Sequence, residues 1–318
     1  MRLLVILDPL PLIKTYKDST YAMMVEAAAR GHELFVCEQH ELALIGDRTL
    51  ATARALRLTD TTGSSDDWYE LGQPAREPLE AFGAVLMRKD PPFDMEYVYS
   101  TYLLENAVRQ GAKVFNDPRA VRDHNEKLSI AEFMQFVAPT IVTRSADDLR
   151  AFVEEHDEAV FKLLNVMGGT SVFRAKRDDP NLSVIIETLN EFGGRSVMAQ
   201  RYLPEIRDGD KRVLLIGGKV VPYCLARIPK AGEFRGNLAA GGRGVARELT
   251  ARDREVGEAL APVLAARGLL LVGLDLIGDY ITEINVTSPT CFQEIRQQTG
   301  YDVARLFIDA LEAAVQSR

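Results

Sequence analysis

Through the first third of the chain, short apolar runs alternate with stretches of helical period. Residues 3–7 read as a buried strand, 19–30 as a helix capped by Asp18 or Ser19 and stopped at Gly31, and 33–37 as the next strand. Residues 84–87, a helix over 95–110 ending at Gly111, and a strand at 113–115 continue the alternation. This rhythm predicts a parallel sheet covered by helices. No G-x-G-x-x-G follows the first strand, which argues against a dinucleotide site. Residues 57–78, rich in Thr, Gly, Ser, Asp and Pro and without periodicity, read as an exposed connection.

From about Asn125 the rhythm changes. A helix over 127–137, a strand at 140–143, a helix at 146–156 and a strand at 159–162 lead to a loop through Gly168 and Gly169. A strand at 171–174, a helix at 181–192 and a strand at 196–200 follow. Residues 212–216 and 219–226 pattern as a hairpin about Gly217-Gly218. Residues 228–244, I-P-K-A-G-E-F-R-G-N-L-A-A-G-G-R-G, hold five Gly, three Ala and two Arg in seventeen positions. So little apolar bulk cannot form core. Long connections of this kind are floppy or functional, and Arg235 and Arg243, each beside Gly, favour a lid that closes on an anion.

The last quarter adds chemistry. Residues 269–290, L-L-L-V-G-L-D-L-I-G-D-Y-I-T-E-I-N-V-T-S-P-T, form two apolar runs around Gly278-Asp279-Tyr280, a hairpin signature. If the loop is symmetric about Asp279, Asp275 faces Glu283, and Asn285 projects from the same side. Carboxylates about 5 Å apart repel by roughly 3 kcal/mol at an effective dielectric of about 20. Either this is a solvated acidic face, or something positive sits between them. The apolar neighbours Val272, Leu274, Leu276, Ile281, Ile284 and Val286 favour a buried hairpin, and with it a hard cation such as Mg²⁺ shared with phosphate.

Composition narrows the partners. The chain has 318 residues, room for two or three modules, with 38 Lys and Arg against 46 Asp and Glu, a net charge of −8. Neither nucleic acid nor an anionic membrane is expected as a partner. Cys37, Cys224 and Cys291 are widely spaced, odd in number and free of C-x-x-C, so they read as reduced residues of a cytoplasmic protein. The opening apolar run, cut by Asp8 and Pro9, is too short for a signal-peptide core, and no eighteen apolar residues run together.

An acidic chain that binds a polyphosphate must supply cations locally. Lys127 opens a helix, Lys162 ends a strand before a glycine loop, and Arg212 and Arg227 share one face of the Gly217-Gly218 hairpin by strand parity. The K-x-x-x-x-M-G-G segment is not a P-loop. Taken with the acidic hairpin and the Gly/Arg lid, these cations suit phosphoryl transfer, which depends on positioning and charge neutralisation.

Six segments carry a resemblance: M-R-K-D-P-P-F-D at 87–94, N-E-K-L at 125–128, D-G-D-K-R-V-L at 208–214, P-Y-C-L-A-R-I-P at 222–229, R-G-N-L-A-A-G-G-R-G at 235–244 and T-E-I-N-V-T-S-P-T-C at 282–291. Together they make the chain similar to the bacterial glutathione synthetases of the ATP-grasp superfamily. The resemblance implies an α/β fold: a Rossmann-like, pre-ATP-grasp domain at 1–122, then a two-part ATP-grasp fold of largely antiparallel α+β character, divided into 123–200 and 201–318 with a lid at 228–244. It implies a cytoplasmic homotetramer that joins γ-glutamylcysteine to glycine, with ATP as co-substrate and two Mg²⁺, or Mn²⁺, per site.

By position, the resemblance puts Lys127, Lys162, Gly168 and Gly169 at the ATP phosphates, Gln200, Arg201, Tyr202 and Leu203 at adenine, and Asp210 at the ribose. Asp275, Glu283 and Asn285 would hold metal, while Arg212, Arg227, Arg235 and Gly242 would act on the reacting groups. Lys17, Asp18, Ser19, Arg88, Ser288 and Thr290 would meet the dipeptide. Two positions depart from the family pattern: Val166 stands where Gly is expected, and Arg201 where Asn is expected. Either the loop at 162–169 takes another path, or position 166 needs no positive φ. A ligase of other donor or acceptor, or a nucleotide-binding protein without ligase activity, are the alternative readings.

Overall fold

The structure, a computed structural model, describes residues 1–318 except 167, 237, 239, 240 and 318. Residue 167 belongs to the expected glycine loop, and 237, 239 and 240 to the expected lid, so those parts of both expectations lie outside the described residues. Among the described residues the strands form three sheets.

The first sheet is parallel at its centre and antiparallel at one edge. β1 (Arg2–Ile6) pairs in parallel with β2 (Glu33–Cys37) and with β7 (Ala84–Met87), which pairs in parallel with β8 (Val114–Phe115). α1 (Ser19–Ala29) connects β1 to β2, its first turn capped by the Asp18 side chain accepting from the Tyr21 amide. Antiparallel to β2 runs β4 (Arg48–Leu58), on which β3 (Leu42–Ile45), β5 (Tyr69–Leu71) and β6 (Ala75–Pro78) also pair. The expected exposed connection at 57–78 is therefore corrected: it holds two short edge strands, exposed on most positions and without the alternation of a half-buried strand. α2 (Met95–Arg109) and α3 (Pro118–Asp123) follow.

The expected helix at 127–137 is a run of tight turns, Leu128–Phe136, broken where Phe133 leaves helical geometry (φ −129°, ψ 41°) to bury its ring. Packing decides here: Ile284 N donates to Glu126 O at 2.7 Å, and Val137 bridges Ile281, so the segment hugs a strand instead of coiling freely.

The second sheet has the order β11-β10-β12-β9, all antiparallel: β9 (Thr140–Thr143), β10 (Glu158–Leu163), β11 (Phe173–Lys176) and β12 (Val197–Arg201). α4 (Ala146–His156) and α5 (Leu182–Asn190) close its core around Phe161, Leu149 and Ile186. The third sheet, order β15-β14-β13-β16-β17, comprises β13 (Asp210–Ile216), β14 (Lys219–Ile228), β15 (Arg243–Glu248), β16 (Leu271–Ile277) and β17 (Tyr280–Asn285). α6 (Ala251–Ala266) packs on β13 and β14, and α7 (Phe292–Thr299) and α8 (Val303–Gln316) tie this sheet to α1. β14 runs to Ile228 and β15 begins at Arg243, so the two ends of the expected lid at 228–244 belong to paired strands.

Candidate active site

The hairpin β16–β17 sets Asp275 opposite Glu283 and Gly273 opposite Asn285. The route differs from the expected symmetric loop. Ile277 pairs with Tyr280 around the two-residue turn Gly278-Asp279, which alone would bring Thr282 opposite Asp275. A bulge after Leu276↔Ile281 inserts Thr282 and returns Glu283 to register.

β13 then lays Arg212 directly beside Asp275, and β14 lays Arg227 beside Asp210. Arg212 grips the Asp275 carboxylate through Nε at 2.5 Å and Nη2 at 3.1 Å, and Arg227 Nη2 reaches Asp275 at 2.9 Å and Asp210 at 2.6 Å. All four are buried. Gly273 makes this possible, since a Cβ there would meet Arg212 Cδ at 2.9 Å. Burial alone would push the Asp275 carboxyl up, but the two guanidiniums outweigh it and hold it below the usual range. Asp210 has the weaker cationic company, and burial pushes it up to about 6. Its Oδ1 is buried with no partner among the described residues.

Lys127 and Lys162 converge from other elements on Glu283, at 3.8 and 3.7 Å. Lys127 also donates to Val166 O at 2.7 Å and to Glu126. Burial would lower the Lys127 ammonium, but Glu283 and Glu126 outweigh it. Burial, then Glu283, raises the Glu126 carboxyl. Sequence reasoning passed over Glu126, although it lies inside the quoted N-E-K-L segment.

Two clefts meet at Glu283. One lies between the second and third sheets, lined by Val160, Ile277 and Phe234, by Gln200, Arg201, Tyr202, Leu203 and Asp210, and by Lys127, Lys162, Gly168, Gly169 and Arg235. The Arg201 and Tyr202 amides are bonded to Pro139 O and Glu158 O, and Arg201 lies 5.7 Å from the Tyr280 ring. The other runs towards α1 and is lined by Arg212, Arg227, Asp275 and Asn285 and by Lys17, Asp18, Ser288, Thr290, Asp90 and Glu294. Asp90 and Glu294 were missed from sequence, Asp90 although it lies inside the quoted segment at 87–94, Glu294 as a lone acid just beyond the quoted segment at 282–291.

Two expected substrate residues are placed elsewhere. Ser19 is fully buried and accepts from the Phe292 amide at 3.1 Å, and Arg88 is buried behind the second cleft, donating to Thr20 Oγ1 and Pro289 O. Both brace the wall rather than line it. Cys37, Cys224 and Cys291 are free and buried, Cys291 on that wall. In the segment expected to be a lid, Arg235 pairs with Glu233 at 2.6 Å and donates to Gly169 O at 3.1 Å, linking it to the glycine loop. Gly242 does not line either cleft. It sits where a Cβ would be 2.3 Å from Gly236 O, so the lid can fold on itself there only without a side chain.

Asp275, Glu283 and Asn285 offer the hard oxygen donors that Mg²⁺ accepts. Glu283 has no hydrogen-bond partner among the described residues, and Asn285 spends its Nδ2 on Gly273 O at 3.3 Å, leaving Oδ1 available. The set therefore fits a divalent cation. Among the described residues no group of three or more His, Cys, Asp or Glu side chains is poised to hold a metal, so phosphate and water would have to complete the shell.

Val166 is not among the residues of positive φ; it packs its side chain against the second sheet's core. Of the two alternatives, ordinary backbone holds. Val166→Gly is then expected to destabilise the protein by several tenths of a kcal/mol and to leave the Michaelis constant for ATP unchanged, measured by thermal unfolding and initial rates. A gain in stability would contradict this.

Comparison with known proteins completes the description of the site. The family model for the prokaryotic glutathione synthetase N-terminal domain matches residues 1–122, and that for its ATP-grasp domain residues 126–300. The glutathione synthetase of Ralstonia nicotianae is 62% identical over 316 residues, 99% of this chain and 96% of that protein. Those of Nitrosomonas europaea and Pseudomonas aeruginosa are 58% and 51% identical, over 98% and 100% of this chain and 98% and 99% of their own lengths. Among solved structures, the D-cycloserine synthetase DcsG aligns with TM-score 0.66 at 17% identity, covering 99% of this chain and all of that one, a likeness of fold.

Proposed function

Since the chain belongs to the prokaryotic glutathione synthetase family of ATP-grasp ligases, we propose that it joins γ-glutamylcysteine to glycine with conversion of ATP to ADP and phosphate. The observation that carries this reading is the buried row of Arg227, Asp210, Arg212 and Asp275, ending at Glu283 and its two lysines where the clefts meet. The comparisons do not favour another donor and acceptor or a non-catalytic nucleotide binder.

We divide the chain as expected, into 1–122, 123–200 and 201–318. In this reading ATP takes the cleft between the last two parts. Its adenine lies against Val160 and Ile277 beside Gln200, Arg201, Tyr202 and Leu203, and a ribose hydroxyl satisfies the orphaned Asp210 Oδ1. Lys127 and Lys162 meet the phosphates beside Gly168 and Gly169. Two Mg²⁺, replaceable by Mn²⁺, are held by Asp275, Glu283 and Asn285. They supply neutralisation of phosphate charge.

The dipeptide takes the second cleft, near Lys17, Asp18, Ser288 and Thr290, its wall braced by Ser19 and Arg88, with its cysteinyl carboxylate at Arg212 and Arg227. A carboxylate oxygen attacks the γ-phosphorus and the bond to ADP breaks. The glycine amine then attacks the acyl carbon, loses a proton and displaces phosphate. Arg212 and Arg227, fixed in place before the reaction, stabilise charge as it develops on the transferring group and the acyl oxygen. The lid, with Arg235 drawn from Glu233 to phosphate and Gly242 permitting the fold, excludes water that would hydrolyse the acyl phosphate.

Limited proteolysis is expected to cut between residues 228 and 244 in the free protein and to be suppressed by ATP, Mg²⁺ and γ-glutamylcysteine together, while Arg235→Ala lowers turnover more than ATP binding. Cutting that ignores all three would contradict the lid. ADP release measured with γ-glutamylcysteine and each of a panel of amino acids tests the function itself, and glycine is expected to be preferred by a wide margin. The assembly we propose is a homotetramer of the cytoplasm. Among the described residues no helix is long and apolar enough to cross a membrane.

A further inference from the structure

Part of the lining of the second cleft is built from two segments tied together. Gln293, in the first turn of α7, donates to Thr15 O at 2.5 Å and to Asp18 O at 2.8 Å, and Gln297 donates to Tyr16 O at 3.1 Å, so α7 and the loop before α1 move as one body. Glu294 follows Gln293 and faces the cleft with Lys14, Lys17 and Asp18. Its Oε2 is buried and has no partner among the described residues. Burial raises this carboxyl from its ordinary value, and Asp18 adds to the effect, while a hydrogen bond from its own backbone amide, Lys17 and Arg212 pull the other way. A buried carboxylate oxygen without a hydrogen bond, on a half-buried side chain, is costly unless a ligand completes it.

We infer that Glu294 is the counter-ion of the α-ammonium of the γ-glutamyl group, and that it sets the direction in which the dipeptide lies. This rests on the ligase reading above. The dipeptide has ionic groups at both ends. Its cysteinyl carboxylate is the reacting end and needs the guanidiniums of Arg212 and Arg227, so the amino-acid head must be met by other groups of the same cleft. That head carries a cation, and Glu294 is a cleft carboxylate there with an unused oxygen. Lys14 and Lys17 stand beside it for the α-carboxylate of the same head. Glycine suits Glu294 poorly, because its nitrogen must be uncharged to attack, and a carboxylate holds an amine in its charged form.

The test uses N-glutarylcysteine, which keeps the acyl chain and the terminal carboxylate of γ-glutamylcysteine and lacks the ammonium. In the intact enzyme kcat/KM for γ-glutamylcysteine is expected to exceed that for glutarylcysteine by about a hundredfold or more. Glu294→Gln is expected to bring the two within about tenfold by lowering only the first, and Glu294→Asp to keep most of the preference. Calorimetric titration of both dipeptides should show the same pattern in binding. A residue that merely braced α7 would lower both values equally. That outcome, an absent preference in the intact enzyme, or a rise confined to the KM for glycine would overturn the inference while leaving the ligase reading standing. Failure of the intact enzyme to turn over γ-glutamylcysteine at all would overturn both.

Discussion

Glu283→Gln should reduce ligation by about a thousandfold, since it removes the negative charge proposed to hold metal at the junction of the two clefts, a loss of roughly 4 kcal/mol in transition-state stabilisation. The fold should hardly notice. Glu283 attracts Lys127 and Lys162 but repels Glu126 and Asp275, and these effects oppose one another. In the variant Lys127 keeps Glu126 and Val166 O. Melting temperature without Mg²⁺ should therefore stay level or rise slightly, and turnover near the wild-type rate would remove Glu283 from the metal site.

Asp275→Asn should be inactive too, and this time the fold should suffer. The amide is the same size, but it leaves both arginines buried, Arg227 with Asp210 as its remaining ion-pair partner and Arg212 without one among the described residues. Removing one partner of a buried ion pair costs about 3–5 kcal/mol, which lowers the melting temperature of a chain this size by roughly ten degrees. The difference should depend on pH with a definite sign. The folded carboxyl titrates below its unfolded value, so its contribution is present above a pH of about 4 and fades as pH falls below it. Wild type and variant should approach each other in acid. A variant as stable as wild type at neutral pH would mean that the arginines do not rely on Asp275.

The contrast between these two neighbours shows what the chain discloses before it is folded. Strand parity on a Gly-centred hairpin was enough to pair Asp275 with Glu283, because apolar residues on both sides demand a buried register. The pairing came out right although the turn did not, since the Thr282 bulge added the residue that the tighter turn removed. Parity likewise put Arg212 and Arg227 on one face. Their grip on Asp275 was not readable, because it depends on which strand of the sheet lies beside which, a long-range fact with no local signal.

The same limit explains the other misses. β5 and β6 are short edge strands whose pairing comes from β4, while their own composition says loop. The tight turns at Leu128–Phe136 take their shape from β17. Ser19 carries a hydroxyl that could have met substrate, but tertiary packing turned it to the Phe292 amide. Glu294 is one acid among many until α7 is docked on the loop before α1. The ATP-grasp fold was legible because long motifs carry it, whereas single ionisable residues became interpretable only through their neighbours.

The central claim is that the cysteinyl carboxylate is phosphorylated at the Arg212, Arg227 and Asp275 cluster and then captured by glycine. The most direct measurement uses γ-glutamylcysteine labelled with ¹⁸O in the cysteinyl carboxylate, incubated with ATP, Mg²⁺ and glycine, with the products read by mass spectrometry. One labelled oxygen per peptide bond formed is expected to appear in inorganic phosphate and the other to remain in the tripeptide. Phosphate released without label, or ADP formed without a tripeptide, would contradict the account.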